Sequence, residues 1–156
     1  MDNSRPTRIV TFIKRRSDIT EQQFYDHWGN IHASLIVPWA LKHNFEYTQI
    51  HTPKHMRNQF KATVPAPFDE VLDYDGAAEW NIPSLEKLIE AFGDPYYRDV
   101  IEPDEHNFLH KSSKEAISTT AHGIWKPIVL EGKALVNAKE EMLQYQKIEN
   151  RELDKE

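Results

Sequence analysis

The chain has 156 residues, enough for one domain with a real core. Its formal net charge is -6 and its longest basic run is Lys14, Arg15 and Arg16, so it offers no basic face for nucleic acid. It has no cysteine, which excludes disulfides, thiolate catalysis and cysteine-type zinc or iron–sulfur sites.

The first residues, MDNSRPTRIV, carry no apolar leader, and no apolar run approaches the ~18 residues of a membrane span. A cytoplasmic protein that neither enters a membrane nor is secreted is expected. Residues 7–14 (TRIVTFIK) read as a first strand. Ile9, Thr11 and Ile13 share one side, and Val10 and Phe12 the other, so the strand is expected to be central.

Residues 17–39 organise the chain as one helix. Thr20 is an N-cap, with Gln23 placed to return its hydrogen bond. Phe24, Trp28, Ile31 and Leu35 form an apolar stripe, and His32 points with it. Such an imidazole is either a hydrogen-bonded core residue or a working acid/base. Pro38 is expected to end or kink the helix.

Residues 45–51 (FEYTQIH) read as a second strand, with Phe45, Tyr47, Gln49 and His51 on one face. The three prolines of 52–68 argue against a regular element there, and Phe60, Val64 and Phe68 favour a packed lid. Residues 70–80 read as a third strand, in which Gly76 marks a bulge or a close approach to the backbone. Pro83 and Ser84 open a second helix with Leu85, Leu88, Ile89 and Phe92 on one side and Gly93 at its end. Asp94 and Pro95 start a short helix, and Pro103 stops it. Residues 116–125 read as a fourth strand. The tail from Asn137 is a thinly amphipathic helix that packs on the domain or on a partner.

Strand, helix, strand, strand, helix, strand is the ferredoxin-like α+β pattern, with an antiparallel four-stranded sheet and both helices on one face. We expect such a domain over 1–130 and a helical extension over 131–156. The other sheet face, expected to be rich in Phe, Tyr and His, must be hidden, and a homodimer packing sheet to sheet does this.

Two passages resemble the EthD-like members of the dimeric α+β barrel superfamily. FYDHWGNIHASLIV (24–37) is similar to the family's aromatic–Trp–three residues–His signature, at Trp28 and His32. YDGAAEWNIPSLEKLIEAFGDPYYRDVIEPDEHNFLH (74–110) is similar to its DGxAEhW strand, Leu-rich helix and DP…DE…F closing pattern. Length, lid and tail look most like small fungal enzymes of aromatic polyketide pathways. These include decarboxylases of anthraquinone-type acids, dehydratases of naphthopyrone precursors, anthrone oxygenases and cyclases.

The resemblance implies this menu and does not choose within it. With the inward His32, the Tyr47/His51 strand and no cofactor motif, we expect a cofactor-independent lyase on an aromatic polyketide, with decarboxylation of a polycyclic β-keto acid foremost. Dehydration or cyclisation of a hydroxy ketone, anthrone-type oxygenation and non-catalytic binding of aromatics are the alternatives. Either lyase reaction needs an acid/base near neutrality and a donor for an enolate, which histidine and tyrosine supply. His32 is the first candidate, and the resemblance favours its catalytic reading. Tyr47 and His51 follow as donor and second acid/base, and Asp104 and His106 come from the closing motif. The bland readings are ordinary strand residues for the first pair and a turn cap for Asp104. His27, on the helix flank, reads as a surface or supporting residue. Phe12, Trp28, Tyr74, Trp80 and Phe92 are candidate walls of a flat pocket, or simple core; His55 and Lys54 on the lid are candidates to meet a substrate carboxylate. His27 and His32, five apart, diverge by about 140° on an α-helix, and no HExxH, GxGxxG or P-loop occurs, so neither a metal nor a nucleotide cofactor is expected.

Overall fold

A run of β-branched and aromatic residues forms β1 (Thr7–Ile13), which in a computed structural model of the chain lies inside an antiparallel sheet. The structure describes residues 6–112, 116–120, 123–124 and 126–153. The other strands of this sheet are β2 (Glu46–His51), β3 (Gly76–Ile82), β4 (Ile117–Thr119) and β5 (Gly123–Ile124). Their order is β2-β3-β1-β4, and β5 also pairs with β1. The helical elements are α1 (Glu21–Asp26), a π-helical turn (His27–His32), α2 (Ala33–His43), α3 (Lys54–Thr63), α4 (Leu85–Phe92), a second π-helical turn (Tyr97–Ile101) and α5 (Glu102–Glu105). This is the expected α+β fold with a four-stranded antiparallel sheet.

Thr20 caps α1 as its sequence promises. Gln23 N–H donates to Thr20 Oγ1 at 3.1 Å, and Thr20 N–H donates to Gln23 Oε1 at 2.8 Å. The inward stripe then departs from expectation. Phe24, Trp28 and His32 are buried as expected, but Ile36, Trp39, Ala40 and His43 follow them, while Ile31 is exposed. The cause is the π-helical turn, whose i to i+5 bonds add one residue to the turn and shift the phase of everything after it. Pro38 does not end the helix. Burial of Trp39, Ala40 and His43 outweighs one lost backbone bond, and the chain turns at Asn44, in the left-handed conformation (φ 56°).

Other expectations need correction. The prolines of 52–68 bracket a helix instead of preventing one: Pro53 caps α3, and Pro65 and Pro67 lie beyond its end. The third strand starts at Gly76, not at residue 70. The fourth is divided between β4 and β5, and Ala121, His122 and Trp125 lie outside the described residues. Pro103 sits in the first turn of α5 instead of stopping a helix. On α4, Leu85, Ile89 and Phe92 are exposed, and Ala91 is the fully buried residue.

The core lies between the helices and one sheet face. Ile9, Ile13, Ala78 and Ile82 of the sheet meet Phe24, Trp28, Ile36, Trp39, Ile101 and Phe108. Tyr47 and Trp80 pack on this side too, so the aromatic face of β2 is the covered one. The open face carries Val10, Phe12, Ile50 and Ala77 around a trough of about 640 Å³ beneath α3. Farther along it, Arg8 pairs with Glu79 at 2.6 Å and Asn81 with Glu46 at 2.7 Å. Gly76 allows the close approach its place in the strand implied. A Cβ there would lie 2.5 Å from the Trp28 ring.

Two compact units follow along the chain, Met1–Ile124 and Trp125–Glu156. The second contains the hairpin of β6 (Val129–Leu130) and β7 (Lys133–Ala134), turned at Gly132 with φ +74°, and α6 (Lys139–Leu153). Among the described residues no helix is long and apolar enough to cross a membrane.

Candidate active site

Between the helical layer and β1, β2 and β3 lies a cavity of about 280 Å³. Trp28, Trp80, Phe92 and Phe108 form aromatic walls, and Thr11, Ala78 and Thr119 belong to the sheet floor. The ionisable side chains on it, among the described residues, are His32, Tyr47, Tyr97 and Glu105.

The π-helical turn decides the chemistry of His32. Residues five apart come round to the same side of such a turn, so His27 and His32 do not diverge as an α-helix requires. Both reach Asp104. His32 Nδ1 lies 2.8 Å from Asp104 Oδ2, and His27 Nε2 lies 2.8 Å from Oδ1, which also accepts from Asn107 Nδ2 at 3.1 Å. Burial opposes the Asp104 charge, but the hydrogen bonds from His32, His27 and Asn107 together outweigh it and hold the carboxyl below its ordinary range. A carboxylate only accepts, so His32 Nδ1 carries the proton. The lone pair then sits on Nε2, which has no protein partner among the described residues, in a ring that lines the cavity. His32 is 5 % exposed, and burial pushes its pKa below the ordinary value against the pull of Asp104 and Glu105. It is therefore a neutral imidazole at pH 7, oriented from behind.

Tyr47 stands across the cavity, stacked on Trp80 with ring centroids 4.2 Å apart. Its hydroxyl oxygen accepts from Trp28 Nε1 at 3.0 Å and from Gln49 Nε2 at 3.0 Å. Burial pushes the phenol up to about 12, so it keeps its proton. With two N–H groups on its oxygen, that proton is left to be donated to an occupant of the cavity. Tyr97 donates to Glu105 Oε1 at 3.3 Å, and Lys111 holds Glu105 Oε2 at 2.9 Å. Burial and the neighbouring Glu105 keep Tyr97 protonated as well.

The cavity thus brings together His32, Tyr47, Trp28 and Trp80, with Asp104 directly behind His32. The other candidates lie elsewhere. His51 stacks on Tyr25 and Trp28 at 4.9 and 4.8 Å and borders the open-face trough. Phe12 and Tyr74 meet in that trough with tilted rings, centroids 5.5 Å apart. His55 is exposed on α3. His106 is exposed and bonded to Glu102 at 2.8 Å. Sequence reasoning missed Glu105 and Tyr97, although both stand in the DPYYRDVIEPDE passage it singled out. It read His27 as a surface or supporting residue but, for want of the π turn, could not join it to His32 through Asp104. His27 and His32 each bond to Asp104, and among the described residues no group of three or more His, Asp or Glu is arranged to hold a metal ion.

The model of the EthD domain matches residues 16–112, more than half of the chain. The dehydratase ustZ of Ustilaginoidea virens is 22% identical over 119 residues, covering 76% of this chain and 82% of that protein. A hypothetical protein of Arabidopsis thaliana has a solved structure with a TM-score of 0.48 and 10% identity, covering 80% of this chain and 92% of that one. A protein of unknown function from Rhodopseudomonas palustris gives 0.45 and 15%, covering 80% and 85%.

Proposed function

The chain belongs to the EthD domain family, and from that premise we propose that it is a lyase of secondary metabolism that removes water from a hydroxylated aromatic ketone of polyketide type. One observation carries this reading: His32 Nε2, an oriented neutral base, shares one small aromatic-walled cavity with the Tyr47 hydroxyl, a fixed donor. His32 takes the proton α to the carbonyl. Tyr47 donates to the oxygen as it gains enolate charge. The enolate then expels the β-hydroxyl, which takes the proton back from His32 and leaves as water. Base and donor are both protein groups, so the reading asks for no cofactor. At about 280 Å³ the cavity lies just below the ~300–1,000 Å³ typical of ligand sites, which favours a substrate of one or two rings.

Decarboxylation, foremost among the expectations from the sequence, is the runner-up. A carboxylate substrate would meet Glu105, and no Lys or Arg lines the cavity among the described residues. The dehydratase relative also favours elimination of water. We propose further that the enzyme works as a cytoplasmic homodimer, a second copy covering Val10, Phe12, Ile50 and Ala77 of the open face.

The test incubates purified protein with aromatic hydroxy ketones and β-keto acids, in air and under nitrogen, and reads products by mass spectrometry. Loss of water without oxygen is expected. Loss of carbon dioxide alone would replace this reading with the runner-up, a product formed only in air would point to an oxygenase, and ligand retention without turnover to a binding protein. Light scattering at two concentrations checks the dimer.

A further inference from the structure

Gln49 is placed to decide what the Tyr47 hydroxyl recognises. Its Nε2 lies 2.9 Å from the backbone oxygen of Trp28 and 3.0 Å from Tyr47 Oη, and its Oε1 lies 2.9 Å from His51 Nε2. A backbone carbonyl can only accept, so the amide nitrogen must face Trp28. Its second hydrogen then goes to Tyr47, and Oε1 can only receive a proton from His51. The direction of every bond is set: His51 donates to Gln49, and Gln49 donates to Tyr47. The His51 ring is held by stacking on Tyr25 and Trp28. Gly29 leaves room for it, since a Cβ there would sit 3.1 Å from His51 Cε1.

We propose that Gln49, anchored by His51, is a positioning residue that makes Tyr47 an obligate donor and so tunes the cavity to a ligand carbonyl over a ligand hydroxyl. The inference rests on reading the inner cavity as the ligand site. With Trp28 and Gln49 both donating to it, the Tyr47 oxygen has no lone pair to offer an occupant. A ketone oxygen, or the enolate that grows from it, is matched. A hydroxyl seeking an acceptor at the same point is not. His51 reaches the chemistry only through Gln49.

The variant Gln49→Glu keeps the shape and removes the donor. The new carboxyl accepts from Tyr47, turns the phenol proton away from the cavity and frees a lone pair toward the ligand. The probes are 1-tetralone and 1-naphthol, two neutral bicyclic molecules that differ at the oxygen, titrated by calorimetry. The native protein is expected to prefer 1-tetralone. Gln49→Glu is expected to shift the ratio of the two affinities by about tenfold toward 1-naphthol, the scale of one hydrogen bond. Gln49→Leu, which neither donates nor accepts, is expected to fall between. It carries the test alone if melting curves show that the glutamate variant does not fold. Equal weakening of both probes, or an unchanged ratio, would overturn the proposal. The lyase reading fails separately, if the native protein keeps its ketone preference and turns over no hydroxy ketone.

Discussion

Two buried histidine–aspartate pairs lie along one helical run and have opposite surroundings. His32 bonds Asp104 at 2.8 Å, and His43 bonds Asp94 at 2.9 Å. Both histidines are under 10 % exposed. Asp94, however, also binds the Lys42 ammonium at 2.7 Å and caps the next segment through Tyr96 N–H at 2.9 Å. His43 lies against Trp39 and Phe45, each 5.8 Å away, and lines neither the inner cavity nor the open-face trough. Asp104 has His27 and the Asn107 amide as its further partners, with no Lys or Arg among them, and its histidine opens onto a cavity. A His–Asp pair is therefore not a site in itself. What distinguishes the two is the fate of the second ring nitrogen and whether a lysine already binds the aspartate.

The sharpest way to break this contrast is to remove each histidine. His32→Ala is expected to lower kcat by about 10³-fold, the scale of a lost general base, and to cost some stability as well, because it strips a buried partner from Asp104. His43→Ala is expected to keep kcat and lose about 1–3 kcal/mol of stability, because it strips a buried partner from Asp94. Steady-state kinetics beside thermal melts separate the two; equal losses of activity would erase the distinction.

Next are the aspartates. Asp104→Asn replaces one of two accepting oxygens with a donor, so one histidine loses its partner, and kcat is expected to fall about 10²-fold. In Asp94→Asn the effect moves to stability. Hydrogen bonds from Lys42, Tyr96 N–H and His43 hold the Asp94 carboxyl far below its ordinary range. A depressed carboxyl binds fewer protons in the folded state, so its contribution is present above the ordinary pKa of ~4 and is lost as the pH falls below it. Asp94→Asn is expected to flatten stability against pH on the acid side, measured by denaturant titration from pH 3 to 7. An unchanged acid slope would show that Asp94 is not responsible.

A smaller effect is expected from His27→Ala, which leaves Asp104 with His32 and Asn107; about tenfold in kcat checks whether the second histidine only braces the first. The mildest prediction concerns pH. Burial lowers the His32 pKa, so the base is competent above a value below the ~6.5 of free imidazole. The acid limb of kcat/KM is expected below that point, with a flat profile through neutrality, and His43→Ala should not move it. A limb above ~6.5 would show that burial does not dominate at His32.

Much of the fold was legible because it is written in short-range chemistry. The Thr20–Gln23 box, the alternation of β1, the Ser84 start of α4 and the close approach at Gly76 need only neighbours in sequence or a missing Cβ. The order of strands and helices, with the two motifs, was enough to reach the EthD family. Trp28, His32 and Asp104 were also readable as candidates, from those motifs.

The tertiary structure decided what the candidates do. A 3.6-residue period has no place for the extra residue of a π turn, so periodicity put Ile31 and Leu35 inward with His32 and left His27 on the flank, whereas the chain buries Ile36 beside His32, exposes Ile31 and joins both histidines to Asp104. Alternation on β2 could align Tyr47, Gln49 and His51 but could not say which faces the cavity and which stacks outside it, since Trp28 decides that from another element. The same local rule placed Phe12 among pocket walls, and only the sheet's orientation put it on the open face. Sequence by itself determined the elements and their chemistry, because those depend on neighbours. Proton positions, and with them the difference between a structural and a working histidine, depend on partners about 50 to 70 residues away, and only the folded chain brings these within 3 Å.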